Sequence, residues 1–506
     1  MYNGATKLDT TSTGISVTGE IVASGGVNFG GGKASINVNS NVMDFVDNFA
    51  LRLGNSQDLA IFHDGTHSNI NNITGDLVLS SPNTIAIKSS GGSENMITAA
   101  NNGAVELFHG MSSSAAEKKL ETTSTGAKVT GDLEVTGGIT STSRTNRNLI
   151  INGAMTVAQR GTSSTTAGYE TVDRFVYGWS GTDESPTQAQ ADVASGTTPY
   201  SLGFRKSYKV TNGNQTGGAG AADYVRFYRV IESQDIANSG WNYVSSSSNI
   251  TLSFWIKSSV AQNFYGYLLT QDGSAQMYPY ETGSLSANTW TKVTKTIPGN
   301  SNLQFDNDAN QGFYFFLWPF AGTNFTNNSA TNDAWGGYNG AARMKDATST
   351  WYTTNDATLE ITGMQLEVGS VATDFEHEPY CDTVRKCLRY YYATKGDGTL
   401  GGVNNYASGI FGFGLNGNIV GGGFRFPEPM RAAPSLTLIR PSDGAVNGSH
   451  LFRGVTGSNS GTDKSANTVN FVDVGRYSYM YMIYTGGDSV VQGGGYLYHI
   501  IADAEL

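Results

Sequence analysis

Along residues 1–145 apolar residues stand singly at every second position between glycines. Ile15 and Val17, Leu59 and Ile61, Leu77 and Leu79, Ile85 and Ile87, and Val105 and Leu107 are examples. Period-two alternation in short pieces predicts short β-strands joined by tight turns. One stretch occurs twice: Lys7–Val27 aligns without gaps to Lys119–Ile139, with 12 of 21 positions identical. Strands this thin cannot bury a core alone. Wrapping identical chains around one axis would supply partners and remove open edges. A flexible Gly/Ser linker would not need the alternation. Residues 1–145 are therefore expected to form a trimerising shaft, with Val129, Leu133, Val135 and Ile139 of parallel chains on its axis.

From Asn146 the pattern thickens. Strand-like runs occur at 204–211, 224–232, 250–259, 262–270, 288–297, 312–320 and 357–368, separated by turn clusters such as Asp272-Gly273 and Pro298-Gly299-Asn300. Many short strands at this spacing predict a β-sandwich or jelly roll over 146–376. A long polar insert with large aromatics, 322–356, interrupts it. In 377–394, Tyr380, Val384, Leu388 and Tyr391 recur at helical spacing and Pro379 suits a first turn, which predicts a connecting helix. Residues 395–506 return to Gly-rich strands and predict a β-sandwich tip. The fold class is all-β.

Composition sharpens this picture. Charged residues are only 14% of the 506, against about 25% in ordinary domains, and the chain has 64 glycines. That disfavours an all-helical protein, a coiled coil or an α/β enzyme. Residues 1–145 hold six of the 56 aromatics, and all seven tryptophans lie between Trp179 and Trp351. The net charge of −11 leaves no basic surplus for nucleic acid. The longest apolar run, Phe313 to Phe320, is too short to cross a bilayer, so no membrane insertion is expected. MYNGATKLDT has no apolar leader core. Cys381 and Cys387 are six apart, on different sides of the predicted helix, and are expected to be reduced.

Gly412-Phe-Gly-Leu-Asn-Gly417 matches a dinucleotide motif, but Gly-rich strand follows it rather than a helix. Asp306, Asp308 and Asn310 resemble a calcium loop, but Gly312 is one place late and Leu317 stands where a glutamate belongs. His63 and His67 have zinc spacing, but across a glycine turn. No nucleophile elbow is present. The affirmative signal is aromatic: Trp and Tyr faces stack on sugar rings, while Asn, Asp and Gln bind hydroxyls. Loops on a rigid β scaffold usually carry recognition. Trp335, Tyr338 and Trp351 of the insert, and Tyr406 of the tip, are the expected glycan-binding residues, with no cofactor, metal or catalytic group.

The residues also resemble a known family. Asn148-Leu-Ile-Ile-Asn-Gly-Ala-Met-Thr-Val-Ala-Gln-Arg-Gly161, with Asp173-Arg-Phe175 after it, resembles the opening of a carbohydrate-binding jelly roll of bacteriophage tail fibres. Ser253-Phe-Trp-Ile-Lys257, Leu359-Glu-Ile-Thr-Gly-Met-Gln-Leu-Glu-Val-Gly-Ser370 and Ala372-Thr-Asp-Phe-Glu-His-Glu-Pro-Tyr380 fall where that module's strands and close would be. Phe426-Pro-Glu-Pro-Met-Arg431 is similar to the distal domain of such fibres, and Gln57-Asp-Leu-Ala-Ile-Phe-His-Asp-Gly65 to their shaft repeats. The resemblance implies a homotrimeric, non-enzymatic virion fibre assembled in the host cytoplasm. Its N-terminal end would dock on other phage tail proteins and its distal modules on a host surface polysaccharide. Tyr2-Asn-Gly sits where Phe108-His-Gly introduces the second repeat, so no virion-anchoring domain is visible there. A tailspike-like glycan depolymerase and a bacterial surface adhesin are the alternatives. The first lacks a long β-helix pattern, the second a leader and an anchor.

Overall fold

The computed structural model describes residues 8–18, 27–29, 34–37, 42–89, 92, 94–110, 117–124, 126–131, 146–394, 409–439, 450–455, 463–465, 468–485 and 489–506. The chain divides into two compact units, Met1–Ile139 and Thr140–Leu506. In the first unit the repeat becomes a hairpin. Leu8–Thr11 pairs with Gly14–Val17, and Glu117–Thr123 with Gly126–Val129. The register is the same in both: Leu8 faces Val17 as Leu120 faces Val129, and Thr11 faces Gly14 as Thr123 faces Gly126. The two-residue connection Ser12-Thr13 closes the first hairpin.

The second hairpin ends a five-stranded antiparallel meander that begins with Thr84–Lys88, Asn95–Ala100 and Val105–His109. Two three-stranded meanders, Val27–Phe29 to Val42–Phe45 and Leu51–Leu53 to Ser68–Asn72, complete the described strands. Among the described residues of this unit only Thr98 is buried. Leu8, Ile15, Ile70, Val78, Leu79 and Ile87 are each more than half exposed, Val78 at 77%. The described residues of one copy form strands here but no core. Of the expected axial residues Val129 is exposed, while Leu133, Val135 and Ile139 lie outside the described residues.

The second unit opens with a sandwich of two six-stranded antiparallel sheets. The first sheet runs Ser163–Ser164, Thr187–Asp192, Lys206–Thr211, Thr358–Val368, Asn249–Ser258, Thr291–Pro298. The second runs Phe175–Ser180, Tyr224–Glu232, Gln311–Ala321, Asn263–Thr270, Gln276–Ser284, Gly336–Gly337. Between them lies an apolar core that includes Phe175, Phe227, Phe254, Phe315 and Leu317. The two short helices Thr198–Ser201 and Ser233–Ala237 and the turn of helix Thr350–Thr353 sit in its connections.

The connecting helix spans Tyr380–Leu388, shorter than the expected 377–394. It stops because Tyr391–Ala393 is drawn into a ladder with Gly495–Asp503. Cys387 is buried on the helix and Cys381 exposed, and both are free. Gly495–Asp503 is the axis of the C-terminal sheet. Ile410–Asn416 and His450–Gly454 flank its first half, and Tyr391–Ala393 and Ser435–Ile439 its second. The glycines of Gly412–Gly417 belong to a β-hairpin with Ile419–Arg425.

Charge locks this helix region and the C-terminal strand onto the sandwich. The fully buried Glu232 carboxylate accepts from Arg389 Nε at 2.8 Å, Arg389 Nη2 at 2.7 Å and the Tyr390 hydroxyl at 2.5 Å. Arg174 donates to Glu505 and lies 3.2 Å from the Tyr390 ring centroid. Arg160 lies 3.6 Å from that of Tyr391 and pairs with Asp503 and Glu505. Rings and carboxylates together replace the water that these guanidiniums lose on burial.

Candidate functional site

The second sandwich sheet is aromatic on both faces. Phe313, Phe315 and Leu317 of its Gln311–Ala321 strand point into the core, while Tyr314, Phe316 and Trp318 point the other way. An apolar run without alternation is what a strand covered on both sides requires. The outer face is built in rows across the strands. Val230, Tyr314, Leu269 and Met277 form one row, and Tyr228, Phe316, Tyr267 and Pro279 the next. Ring centroids in the second row are 5.1 Å apart from Tyr228 to Phe316 and 4.6 Å from Phe316 to Tyr267.

A bulge sets the third row. Val225 faces Phe320 and Phe227 faces Leu317, so Arg226 stands alone opposite Trp318 and Pro319. The extra residue re-aims the strand and leaves Arg226, Trp318, Tyr265 and Glu281 side by side. The Arg226 guanidinium lies 5.2 Å from the Tyr224 and Tyr228 rings and 6.0 Å from that of Trp318. From the long insert Arg343 comes to 5.4 Å from Trp318 and 5.0 Å from Phe325. Its Nε donates to the Tyr338 hydroxyl at 3.1 Å.

Phe325, Arg343 and Met344 thus cover part of the face, and Trp318 is buried beneath them. Tyr224, Tyr228 and Tyr265 remain partly exposed at its open side. Burial pushes the Tyr314 phenol up to about 12, and those of Tyr228 and Tyr267 upward as well. These hydroxyls stay protonated and able to donate at any physiological pH. The open part of the face can stack on a sugar ring and donate hydrogen bonds to its oxygens.

The residues expected from sequence fare differently. Tyr338 is exposed at 42% and stands at the edge of this face. Trp335 lies apart from it, half-buried at the sandwich core. It packs on Tyr278 at 5.2 Å and donates from Nε1 to the Pro298 carbonyl at 2.7 Å. Trp351 is a correction: it is 0% exposed. Its Nε1 donates to the Thr358 carbonyl at 3.1 Å and its backbone N–H to Gln262 at 2.9 Å. A ring enclosed this way has no face to offer a ligand. Tyr406 lies outside the described residues.

Tyr228, Tyr265, Arg226 and Trp318 were not singled out from sequence. The available signal was the unbroken aromatic run at 313–318, which marks a strand with two apolar faces. A second surface lies on the C-terminal sheet, a groove of about 540 Å³ beside Phe413, Leu415, Gly422 and Met480. Phe413, Leu415 and Met480 are each at least half exposed there.

No family model and no curated protein matches the chain. Among solved structures it is similar to the enzymatically active domain of tailspike protein 4 of bacteriophage CBA120, at 12% identity and a TM-score of 0.24. That match covers 44% of this chain and 22% of the other. It is similar to the N-terminal cellulose-binding domain of Cellulomonas fimi β-1,4-glucanase C, at 12% identity and a TM-score of 0.21, over 43% of this chain and 99% of that one. It is also similar to the family 11 carbohydrate-binding module from Clostridium thermocellum, at 10% identity and a TM-score of 0.19, over 42% and 99% of the two chains.

Proposed function

We propose that this chain is the receptor-binding part of a bacteriophage tail fibre, holding a host surface polysaccharide without cleaving it. The observation that carries the reading is the outer face of the second sandwich sheet, where Tyr224, Tyr228 and Tyr265 stand partly open on rows of packed rings. Rings fixed by neighbours lose little freedom when a sugar stacks on them, so a rigid face is suited to binding. Its phenols are held protonated by burial, which suits hydrogen-bond donation rather than proton transfer.

The fibre is a parallel homotrimer in the virion, with other tail proteins at its N-terminal end. The exposed leucines, isoleucines and valines of the first unit support this, because three copies would cover what one leaves in water. Single sites are weak, and three copies per fibre raise the avidity. The test is retention on host cells of the wild type against Tyr228→Ala and Tyr265→Ala, with melting measured alongside. Retention should drop at least about tenfold for each, as loss of one aromatic contact implies, with melting little changed. Unchanged retention in both variants refutes the assignment of this face.

A further inference from the structure

The chain carries 42 acidic against 31 basic residues, yet the aromatic face gathers two guanidiniums, those of Arg226 and Arg343. Among the described residues neither Arg226 nor Arg343 joins an ion pair, whereas Arg160, Arg174 and Arg389 of the same unit each meet a carboxylate. Both lie within 6.0 Å of the Trp318 ring, one from the bulged sheet and one from the insert. Donors here also outnumber acceptors. Arg226 Nε and Trp318 Nε1 are buried with no hydrogen-bond partner, although buried donors are nearly always paired. The phenols of Tyr228 and Tyr267 stay protonated and add further donors. The nearest carboxylate in the row is Glu281, beyond Tyr265 from Trp318, where Asn263 Nδ2 donates to it at 2.7 Å.

We infer that Arg226, Arg343 and Tyr228, standing over the buried Trp318, bind an oxyanion carried on the glycan: a uronate carboxylate, or a sulfate or phosphate ester. The inference rests on the proposed glycan-binding reading and names the substrate class of that same face. Guanidiniums held by cation–π contacts are pre-oriented and keep their N–H edges for oxygen acceptors. The sugar ring stacks on the open phenols while its anionic group meets the guanidiniums. A neutral sugar leaves those donors without acceptors, so the face discriminates as well as binds.

The test is titration of the full chain with an oligouronate, with the same oligosaccharide after reduction of its carboxyls to alcohols, and with sulfated and phosphorylated oligosaccharides. Binding of at least one anionic probe should exceed that of the reduced one by at least about tenfold, and should weaken as salt rises from 50 to 500 mM, roughly the range over which screening sets in. Which anionic probe binds names the group. Arg226→Gln and Arg343→Gln should each remove most of the preference, while Arg226→Lys and Arg343→Lys, which keep the charge, should retain part of it with melting unchanged. Equal, salt-insensitive binding of the anionic and reduced probes overturns this inference and leaves the glycan-binding reading standing. Binding of none of the probes, with Tyr228→Ala still retained on cells as the wild type, overturns both.

Discussion

Replacing Arg389 by Met removes the two guanidinium donors from Glu232 and leaves its carboxylate on the Tyr390 hydroxyl and Gln234 alone. Glu232 is 0% exposed, so water cannot take the place of the lost donors. Breaking a buried pair on one side costs about 3–5 kcal/mol, because the remaining charge is stranded. At roughly 2–4 °C per kcal/mol for a large domain, melting of the second unit should fall by roughly 6–20 °C. Burial alone would raise the Glu232 carboxyl, but Arg389, Tyr390 and Gln234 outweigh it and hold it below its ordinary value. That contribution is therefore present above pH 4.5 and is lost as pH falls through the lowered value. In the variant the stranded carboxyl protonates more readily, so the gap from the wild type should narrow under acid. Calorimetry between about pH 2 and pH 8, roughly from below the carboxylate range to above it, follows both trends. Adding Glu232→Gln to Arg389→Met should recover part of the loss by removing the charge. A drop below about 2 °C, or a double variant no better than the single, would refute this account of the joint.

Trp351→Ala should cost about 3–5 kcal/mol of stability as a core truncation, whereas Tyr338→Ala at its exposed site should change stability by less than about 0.5 kcal/mol; thermal unfolding of the two separates core from surface. Gly266→Ala would place a Cβ 2.1 Å from the Phe316 carbonyl oxygen and 2.5 Å from the Tyr280 hydroxyl. Forcing those strands apart should lower melting and loosen the aromatic rows, seen as altered near-ultraviolet circular dichroism. Sedimentation should give the mass of three chains, and Val78→Asp with Leu79→Asp should reduce it, because both residues are mostly exposed in one copy; a monomeric wild type at micromolar concentration contradicts the trimer.

The strand runs of the sandwich were legible because they combine period and length. The runs expected at 204–211, 224–232 and 357–368 became Lys206–Thr211, Tyr224–Glu232 and Thr358–Val368. The repeat at 7–27 and 119–139 announced one structural unit, and its two copies share a hairpin register. Phe175–Ser180 and Gln276–Ser284 were missed. Glycine or proline interrupts both, and the partner of Phe175–Ser180 lies more than forty residues on, so the apolar period is broken in each. The helix was overextended because Tyr391 fits a helical stripe, yet its ring is held by Arg160, a residue more than 200 positions earlier.

The site was harder to read than the fold. Tryptophans in a polar insert resemble a binding loop, but Trp351 lies on a turn of helix that tucks it under the sandwich. Composition cannot tell a ring that faces solvent from one that closes a core. The outer face depends on a bulge between Val225 and Phe227, which reverses the side-chain alternation opposite Arg226. Pro319, which has no N–H to give a ladder, marks the irregularity in the sequence, but not which side chains the bulge gathers. Tyr338, in polar, glycine-rich surroundings, is exposed as a loop aromatic there would be.

The central claim is that the protein holds a host glycan on the sandwich without cutting it. The direct measurement incubates the purified chain with host envelope polysaccharide, follows the release of reducing ends, and in parallel counts phage adsorption to cells exposed to the same protein. No new reducing ends and blocked adsorption are expected, with the block lost in Tyr228→Ala. Shortened polysaccharide chains, or adsorption that proceeds unhindered, would contradict that claim.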